Sequence, residues 1–265
     1  MYDFQYARPS ALADAVALAA EEDSKYLSGG MTLLPACKQR LARPSTLIDL
    51  NGIAELTGIS SYGSVLEIGA MTRHFEVSAS DVVRSAIPAV AALAGMIGDQ
   101  QVRHRGTIGG SVANNDPAAD YPAALLGLDA TIVTDRRSIA ADDFFLGMFE
   151  TALDQAEVLT RVVFPKPDCA AYMKFPSPAS GYALIGVMVC RTNGKARVAV
   201  TGGGHGVFRV ESAEAALTAD WSPEALGQTE IDIEMLSDDH GAPAAYKAAL
   251  IRTLAARAVA IASAG

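Results

Sequence analysis

Two glycine-rich segments carry the residue types best suited to chemistry. The first is Ser28-Gly29-Gly30-Met31-Thr32-Leu33-Leu34-Pro35 and the second is Gly106-Thr107-Ile108-Gly109-Gly110-Ser111. They share one grammar, in which a glycine pair is flanked by hydroxyl residues. Paired glycines remove Cβ atoms, permit positive φ and let a ligand approach the main chain. Consecutive N–H groups can then converge on an anion as a nest. Thr32 adds a hydroxyl donor, and Leu33 leads into the next element. The first segment reads equally as an ordinary strand-to-helix turn.

The second segment runs on through Val112-Ala113-Asn114-Asn115-Asp116-Pro117-Ala118-Ala119-Asp120. Two such loops facing each other make a two-sided cradle for a pyrophosphate. Asn114, Asp116 and Asp120 suit the hydroxyls of a sugar or ribityl chain. The same tail reads as a helix start, with Asp116 as N-cap and Pro117 at the first helical position. Both readings can hold together.

Competing motifs are missing. There is no GxGxxG, no GxxxxGK[ST] and no GxSxG, and Gly202-Gly203-Gly204-His205-Gly206 lacks dinucleotide spacing. His74, His104, His205 and His240 show no metal-ligand spacing. His240, after Asp238-Asp239, reads as a turn or helix cap. Arg103-His104-Arg105 is a local basic cluster that supports a diphosphate, faces a partner, or is simply solvated.

The positioning elements follow from periodicity and breakers. Ser10–Glu22 has helical spacing with Ser10 as N-cap. Tyr26-Leu27 is a short strand entering the first glycine turn. Leu33–Leu41 is helical, and Thr46–Leu50 and Val65–Ile68 are strands. Val82–Met96 is a helix kinked or split at Pro88. Val112-Ala113, Ala130–Thr134 and Val158–Phe164 read as strand or core segments, and Pro165-Lys166-Pro167 as a boundary. Ala183–Arg191 and Ala196–Thr201 form an antiparallel pair joined by Asn193-Gly194, the strongest short hairpin signal. Ala242–Ala262 is an Ala-rich helix. The fold class is α+β, with a larger domain over residues 1–165 and a smaller one over 168–265.

Composition narrows the partners. The chain has 265 residues, is 50% hydrophobic and carries a net charge of −9. That supports a buried core and disfavours nucleic acid, which needs a basic face. Any phosphate ligand must be held by backbone N–H groups rather than bulk charge. Three cysteines, Cys37, Cys169 and Cys190, form no CxxC and no disulfide framework, so a cytoplasmic setting is expected. A cluster needing about four thiolates cannot be ligated by this chain alone. No secretory signal and no membrane span are read.

The two loops resemble those of the medium, FAD-binding subunit of molybdenum hydroxylases of the carbon monoxide dehydrogenase and xanthine dehydrogenase type. That family's first signature, A-G-G-[HQ]-S-L-x-P, corresponds to Ser28–Pro35, and its T-I-G-G-S stands intact at Thr107–Ser111. Flanking likeness lies in Gln101–Gly106, Asn115–Asp120, Glu157–Leu159, Tyr172–Phe175 and Tyr182–Val187. Met31 replaces the usual His or Gln, and Thr32 the usual Ser.

The resemblance implies a two-part FAD-binding domain of the vanillyl-alcohol-oxidase (PCMH) type, with parts at about 1–55 and 56–165. A C-terminal domain with a three-stranded antiparallel sheet and helices follows. It implies that Ser28, Gly29, Gly30, Met31 and Thr32 wrap the pyrophosphate of non-covalent FAD from one side. Thr107, Ile108, Gly109, Gly110 and Ser111 close the other. Asp120 holds a ribityl or ribose hydroxyl, with Asn114 and Asp116 nearby. Leu159 and Lys174 lie beside the isoalloxazine, Tyr172 on or near its face, and Ile97 at its edge. The plain alternatives are core burial for Leu159 and a solvated strand lysine for Lys174.

No catalytic residue and no metal ligand of the chain are implied. The molybdenum cofactor and two [2Fe–2S] clusters belong to partners, a large molybdopterin subunit and a small [2Fe–2S] subunit, assembled as a dimer of heterotrimers. The chain relays electrons to an external acceptor. Alone, it should expose an unusually large apolar patch. Two other readings stand beside this one: a self-sufficient FAD-dependent oxidoreductase or oxidase of the same fold, and a binding module that has lost flavin.

Overall fold

The computed structural model describes residues 1–238 and 242–264. His240 and Asp239, read above as part of a turn or cap, lie outside the described residues.

The chain opens with β1 (Gln5–Ala7), α1 (Leu12–Ala19), β2 (Ser24–Leu27), α2 (Leu33–Lys38) and β3 (Thr46–Asp49). The strands form a parallel sheet in the order β1-β3-β2. Parallel neighbours need a crossover, which α2 supplies from β2 to β3, while the link from β1 to the far edge strand β2 is α1. Its Ala15 and Ala19 pack with Ile48, Leu50, Ile53 and Leu56 in a small core. The helix is shorter than its periodicity predicts, and Ala11, not Ser10, stands at its N-cap without a side-chain bond. Likewise α2 stops at Lys38 rather than Leu41, where Arg40 turns the chain at φ 63°.

The next layer begins with the hairpin β4 (Ile59–Tyr62) and β5 (Val65–Gly69). Six helices follow: α3 (His74–Ala79), α4 (Asp81–Ala86), α5 (Pro88–Gly95), α6 (Gln100–Arg105), α7 (Ile108–Asn114) and α8 (Tyr121–Gly127). Then come β6 (Thr131–Thr134), β7 (Ser138–Ala140), α9 (Ala141–Phe144), a small hairpin of β8 (Phe145–Gly147) and β9 (Glu150–Thr151), and β10 (Leu159–Pro165). Five strands pair antiparallel in the order β4-β5-β10-β6-β7.

Pro88 splits the expected long helix. It opens α5 at the first turn, and Ile87 before it lies outside the α region (φ −146°, ψ 83°), which a residue preceding proline avoids. Val112-Ala113 are not a strand but lie inside α7. That helix buries Ile108, Gly109 and Val112, a helical spacing too short to be told from a strand by pattern alone.

The last layer is β11 (Cys169–Pro176), β12 (Ala183–Thr192), β13 (Lys195–Thr201) and β14 (Phe208–Arg209), antiparallel in that order, with α10 (Glu211–Ala219) and α11 (Ala244–Ala264). A two-residue fourth strand thus extends the expected three. Asn193 (φ 49°) and Gly194 (φ 78°) make the tight turn between β12 and β13.

This sheet is buried on both faces. Ile185, Val187 and Val189 join the core under α11, whereas Met188 and Cys190 join the core that holds α5 and α8. Among the described residues no helix is long and apolar enough to cross a membrane.

A buried carboxylate organises the entry to β10. Glu157 is bound by Arg137, by the Thr134 hydroxyl at 2.7 Å and by Asp154 N–H at 2.8 Å. The Arg137 guanidinium and these N–H and O–H donors outweigh burial and hold its carboxyl down at about 2. Its stabilising contribution is therefore complete above about pH 4.5 and is lost as pH falls towards 2. Glu157→Gln is expected to cost on the order of 2 kcal/mol at pH 7, allowing for the half-exposed Arg137. Urea unfolding as a function of pH should show the gap to wild type narrowing below pH 4.5.

Candidate functional site

The two glycine segments meet. The Ser28 and Thr107 hydroxyl oxygens lie 2.6 Å apart, and the Ser28 hydroxyl also reaches Met71 Sδ. A Cβ at Gly29 would collide with the Arg105 carbonyl oxygen and lie 2.7 Å from Gly106 Cα, so only glycine lets the backbones touch. At Gly30, φ is +74°, which turns the chain away from β2 towards α2. Asn51 braces the turn by donating to the Ser28 carbonyl at 3.1 Å.

The second loop is seated on the segment after β5. Ile108 N–H donates to Thr72 O at 3.1 Å and Gly109 N–H to Ala70 O at 2.8 Å. A Cβ at Gly109 would sit 2.6 Å from that of Ala70. Thr107 caps α7, its hydroxyl accepting from Gly110 N–H at 3.0 Å and its carbonyl from Ser111 N–H.

The two loops therefore offer different groups. All four N–H groups of the first turn of α7 have partners within the chain. By contrast, among the described residues the chain presents no acceptor to the N–H groups of Gly29, Gly30, Met31 and Thr32. The first loop presents unpaired N–H groups and the second presents the Ser111 hydroxyl, that of Thr107 being held by Ser28 and Gly110. Thr107, Gly110, Ser111 and Asn114 follow helical i, i+3, i+4, i+7 spacing and share one face. Past Thr107 that face is half-buried, while Ile108, Gly109 and Val112 are in the core.

Asn115 ends α7 in the left-handed conformation, φ 43°, which Asn tolerates. Its amide donates to Gly147 O at 2.7 Å and Glu150 O at 2.8 Å, tying the helix to the β8–β9 hairpin. Asp116 does not cap a helix. It accepts from Ala118 N–H at 2.9 Å in an Asx turn, and α8 starts only at Tyr121.

Asp120 is the electrostatic centre. Its side chain and that of Lys174 are each 4% exposed and 2.9 Å apart. Tyr172 donates to its other oxygen at 2.5 Å, and Lys174 also donates to Met96 O at 3.1 Å. Burial pushes the Asp120 carboxyl up, with Lys174 and Tyr172 working against that rise. Burial and Asp120 push the Tyr172 phenol up as well. Lys174 is thus not the solvated strand lysine its alternation allows. Register places it opposite Gly186, facing inward. Leu159 is buried in the main core at the start of β10, as the core reading expects.

The basic cluster is largely used internally. Arg103 donates to Ile97 O at 3.0 Å and Gly98 O at 2.9 Å, which fixes the half-buried Ile97. His104 stacks on Phe75 with ring centroids 4.3 Å apart. Beneath Gly106 lies buried His74, whose Nε2 is 2.6 Å from where a Gly106 Cβ would stand. Its Nδ1 and the hydroxyl of nearby Tyr121 find no partner among the described residues.

Sequence reasoning missed Thr201, Gly186 and Tyr182. Thr201 grips the Pro117–Ala119 backbone, Gly186 makes room for Tyr172, and the Tyr182 phenol is raised by burial and by Asp116 and Asp120. Only strand register reveals the first two. Tyr182 stood inside a family-like segment without a role.

The groups present fit an anionic, hydroxyl-rich cofactor. Gly110 leaves a gap beside Thr107 and Ser28 that a Cβ would narrow to 3.0 and 3.4 Å. Unpaired N–H groups lie on the loop that turns at Gly30. Residues 2–167 match the family described as the FAD binding domain in molybdopterin dehydrogenase. The chain is 35% identical over 271 residues to the nicotine 6-hydroxylase medium subunit of Paenarthrobacter nicotinovorans, covering 96% of this chain and 95% of that one. It is 34% identical over 274 residues to the carbon monoxide dehydrogenase medium chain of Hydrogenophaga pseudoflava, covering 97% and 96%. A solved structure of carbon monoxide dehydrogenase from that organism, lacking the Mo-pyranopterin moiety of the molybdenum cofactor, superposes with a TM-score of 0.87 at 34% identity. It covers 99% of this chain and 98% of its own.

His74 gives a test of the loop's foundation. Burial, helped by the Arg103 charge, pushes its imidazole down to about 4. Between pH 6.5 and 4 the unfolded chain binds a proton that the folded one refuses, so stability falls with pH across that window. His74→Gln is expected to remove roughly 2 to 3 kcal/mol of the wild-type loss between pH 7 and 4.5. The check is urea unfolding at the two pH values.

Proposed function

The chain belongs to the family of FAD binding domains in molybdopterin dehydrogenase, and from that premise we propose that it is the FAD-carrying, electron-transfer subunit of a molybdenum hydroxylase. In this reading it works between the [2Fe–2S] clusters of a small partner subunit and an external acceptor, with the molybdopterin centre in a large subunit. The observation that carries it is the meeting of Ser28-Gly29-Gly30 with Thr107–Ser111, with unpaired N–H groups on one loop and the Ser111 hydroxyl on the other.

FAD, when bound, supplies the redox chemistry. The chain binds, orients and shields it. Gly29, Gly30, Met31 and Thr32 receive the pyrophosphate through N–H groups, and Leu33 starts the helix behind them. Thr107, Gly110 and Ser111 close the other side on the platform of Ile108 and Gly109. Asn114, Asp116 and Asp120 take ribose or ribityl hydroxyls. An ionised carboxylate accepts about four hydrogen bonds, so Asp120 keeps acceptor sites beyond Tyr172 and Lys174. Lys174 has three N–H donors, two of them engaged on Asp120 and Met96 O. The third is free to reach a carbonyl of the isoalloxazine. Leu159 and Ile97 supply apolar wall, and Tyr172 holds Asp120 in place.

The reading divides the chain into an FAD-binding domain of the PCMH type over 1–165, in parts at about 1–55 and 56–165, and a C-terminal domain over 168–265. It places the complex in the cytoplasm as a dimer of heterotrimers. Exposed Leu146, Met148 and Phe149 on the β8–β9 hairpin, tied to α7 through Asn115, support a partner surface close to the cofactor. Charge transfer needs no acid–base pair of this chain. A self-sufficient oxidase would need one.

The test is FAD retention. The protein, or its complex purified with its partners, is incubated with FAD, freed of excess flavin and scanned in the visible. Wild type is expected to keep a flavin band. Gly110→Asp puts a carboxylate beside Thr107 and Ser28, against the pyrophosphate, and is expected to weaken binding at least about a hundredfold. A colourless wild-type complex would overturn the reading, and so would a Gly110→Asp variant that binds FAD normally.

A further inference from the structure

The family match ends at residue 167, yet residues 117–120, which lead into α8, are fastened from beyond that point, whereas Asn115 is held by the β8–β9 hairpin. The Thr201 hydroxyl, fully buried, lies 2.7 Å from Ala119 O and 3.0 Å from Pro117 O. Gly202 N–H donates to Pro117 O at 2.8 Å, and Ala183 N–H to Ala118 O at 3.3 Å. Three successive carbonyls are thereby fastened to the ends of β12 and β13. The fourth residue, Asp120, has one carboxylate oxygen on Tyr172 and the other on Lys174, both of β11.

Gly186 completes this arrangement. It pairs with Lys174 on one side and Thr201 on the other. A Cβ there would collide with the Tyr172 hydroxyl and come within 2.9 Å of the Thr201 methyl. The phenol reaches Asp120 through space that only glycine leaves. Gly186, Thr201, Tyr172 and Lys174 are thus neighbours in one patch of the sheet, all converging on residues 117–120.

We infer that Thr201 and Gly186 are positioning residues of the FAD site, through which the C-terminal sheet sets Asp120 and the Asp116–Asp120 turn. This rests on the FAD reading above. Both residues are buried, and the Thr201 hydroxyl is engaged on the Pro117 and Ala119 carbonyls. Thr201 fixes the backbone that presents Asp120, and Gly186 admits the phenol that orients its carboxylate. Thr201→Val keeps the volume but removes the hydroxyl, leaving Ala119 O bare in a dry site. Thr201→Ser keeps the hydroxyl.

The test compares the full-length wild type, Thr201→Val, Thr201→Ser and Gly186→Ala. FAD affinity is read from flavin fluorescence, the bound spectrum from visible absorption, and folding from far-UV circular dichroism. Thr201→Val and Gly186→Ala are expected to weaken FAD binding about fivefold or more and to alter the bound flavin's spectrum, with Thr201→Ser close to wild type. A folded Thr201→Val with wild-type affinity and spectrum would overturn the inference. So would a Thr201→Ser as damaged as Thr201→Val.

Amide hydrogen exchange without flavin separates this from failure of the cofactor reading. The Gly202 and Ala183 amides are expected to exchange at least about tenfold faster in Thr201→Val. Unchanged exchange would remove the clamp itself, whether or not wild type binds FAD. If Thr201→Val does not fold, Gly186→Ala and Tyr172→Phe carry the same comparison.

Discussion

The architecture turns on a steric constraint: two stretches of backbone must touch where no side chain fits. Gly29 lies against the Arg105 carbonyl and Gly106, and Gly109 against Ala70. Those approaches bring the end of a parallel strand up to the cap of α7, where the Ser28 and Thr107 hydroxyls meet. The parallel sheet, the platform after β5 and the helices from α3 to α6 are scaffolding for that contact. A methyl group at Gly29 would force the two layers apart, and with them every group the loops present.

The second organising feature is charge in a dry place. In the proposed site an acidic chain receives the pyrophosphate on main-chain N–H groups, and so needs no cluster of lysines at the loops. Two of its cations are engaged within the chain, Arg103 on the Ile97–Gly98 turn and Lys174 on Asp120 and Met96 O. Asp120 costs desolvation that Lys174 and Tyr172 offset only in part, so burial still pushes its carboxyl up. The result is a carboxylate fixed in direction by the C-terminal sheet, with lone pairs left for a ligand. The burial of β12 on both faces keeps that sheet, and hence Asp120, in register with α8.

Much of this was legible in the sequence where a local rule decides. The Asn193-Gly194 hairpin, the split at Pro88 and the turn at Gly30 are set by φ preferences that act within a few residues. The pairing of the loops was legible through their shared grammar and family likeness. Val112-Ala113 misled because a seven-residue helix gives too little periodicity to separate from a strand. Lys174 left two readings open for a different reason. Its surroundings depend on which residue lies opposite across β12, and alternation along one strand does not carry that register. Thr201 and Gly186 were invisible for the same reason. Helix α8 is expected to start at Pro117 because Asp-Pro is a local start signal, but Asp116 closes an Asx turn and the helix begins at Tyr121, buried throughout with no polar face to mark it.

The central claim is that the gap between the Gly30–Thr32 turn and the Thr107–Asn114 face holds a dinucleotide pyrophosphate. The most direct measurement is a crystal structure of the FAD-loaded protein, alone or with its partners. The account predicts the two phosphates between those elements, with first-loop N–H groups on one side, Ser111 on the other, and Asp120 on a ribose or ribityl hydroxyl. Density for FAD in the cavity lined by Val210, Thr229 and Arg252 instead, with the glycine loops unchanged and empty, would contradict it.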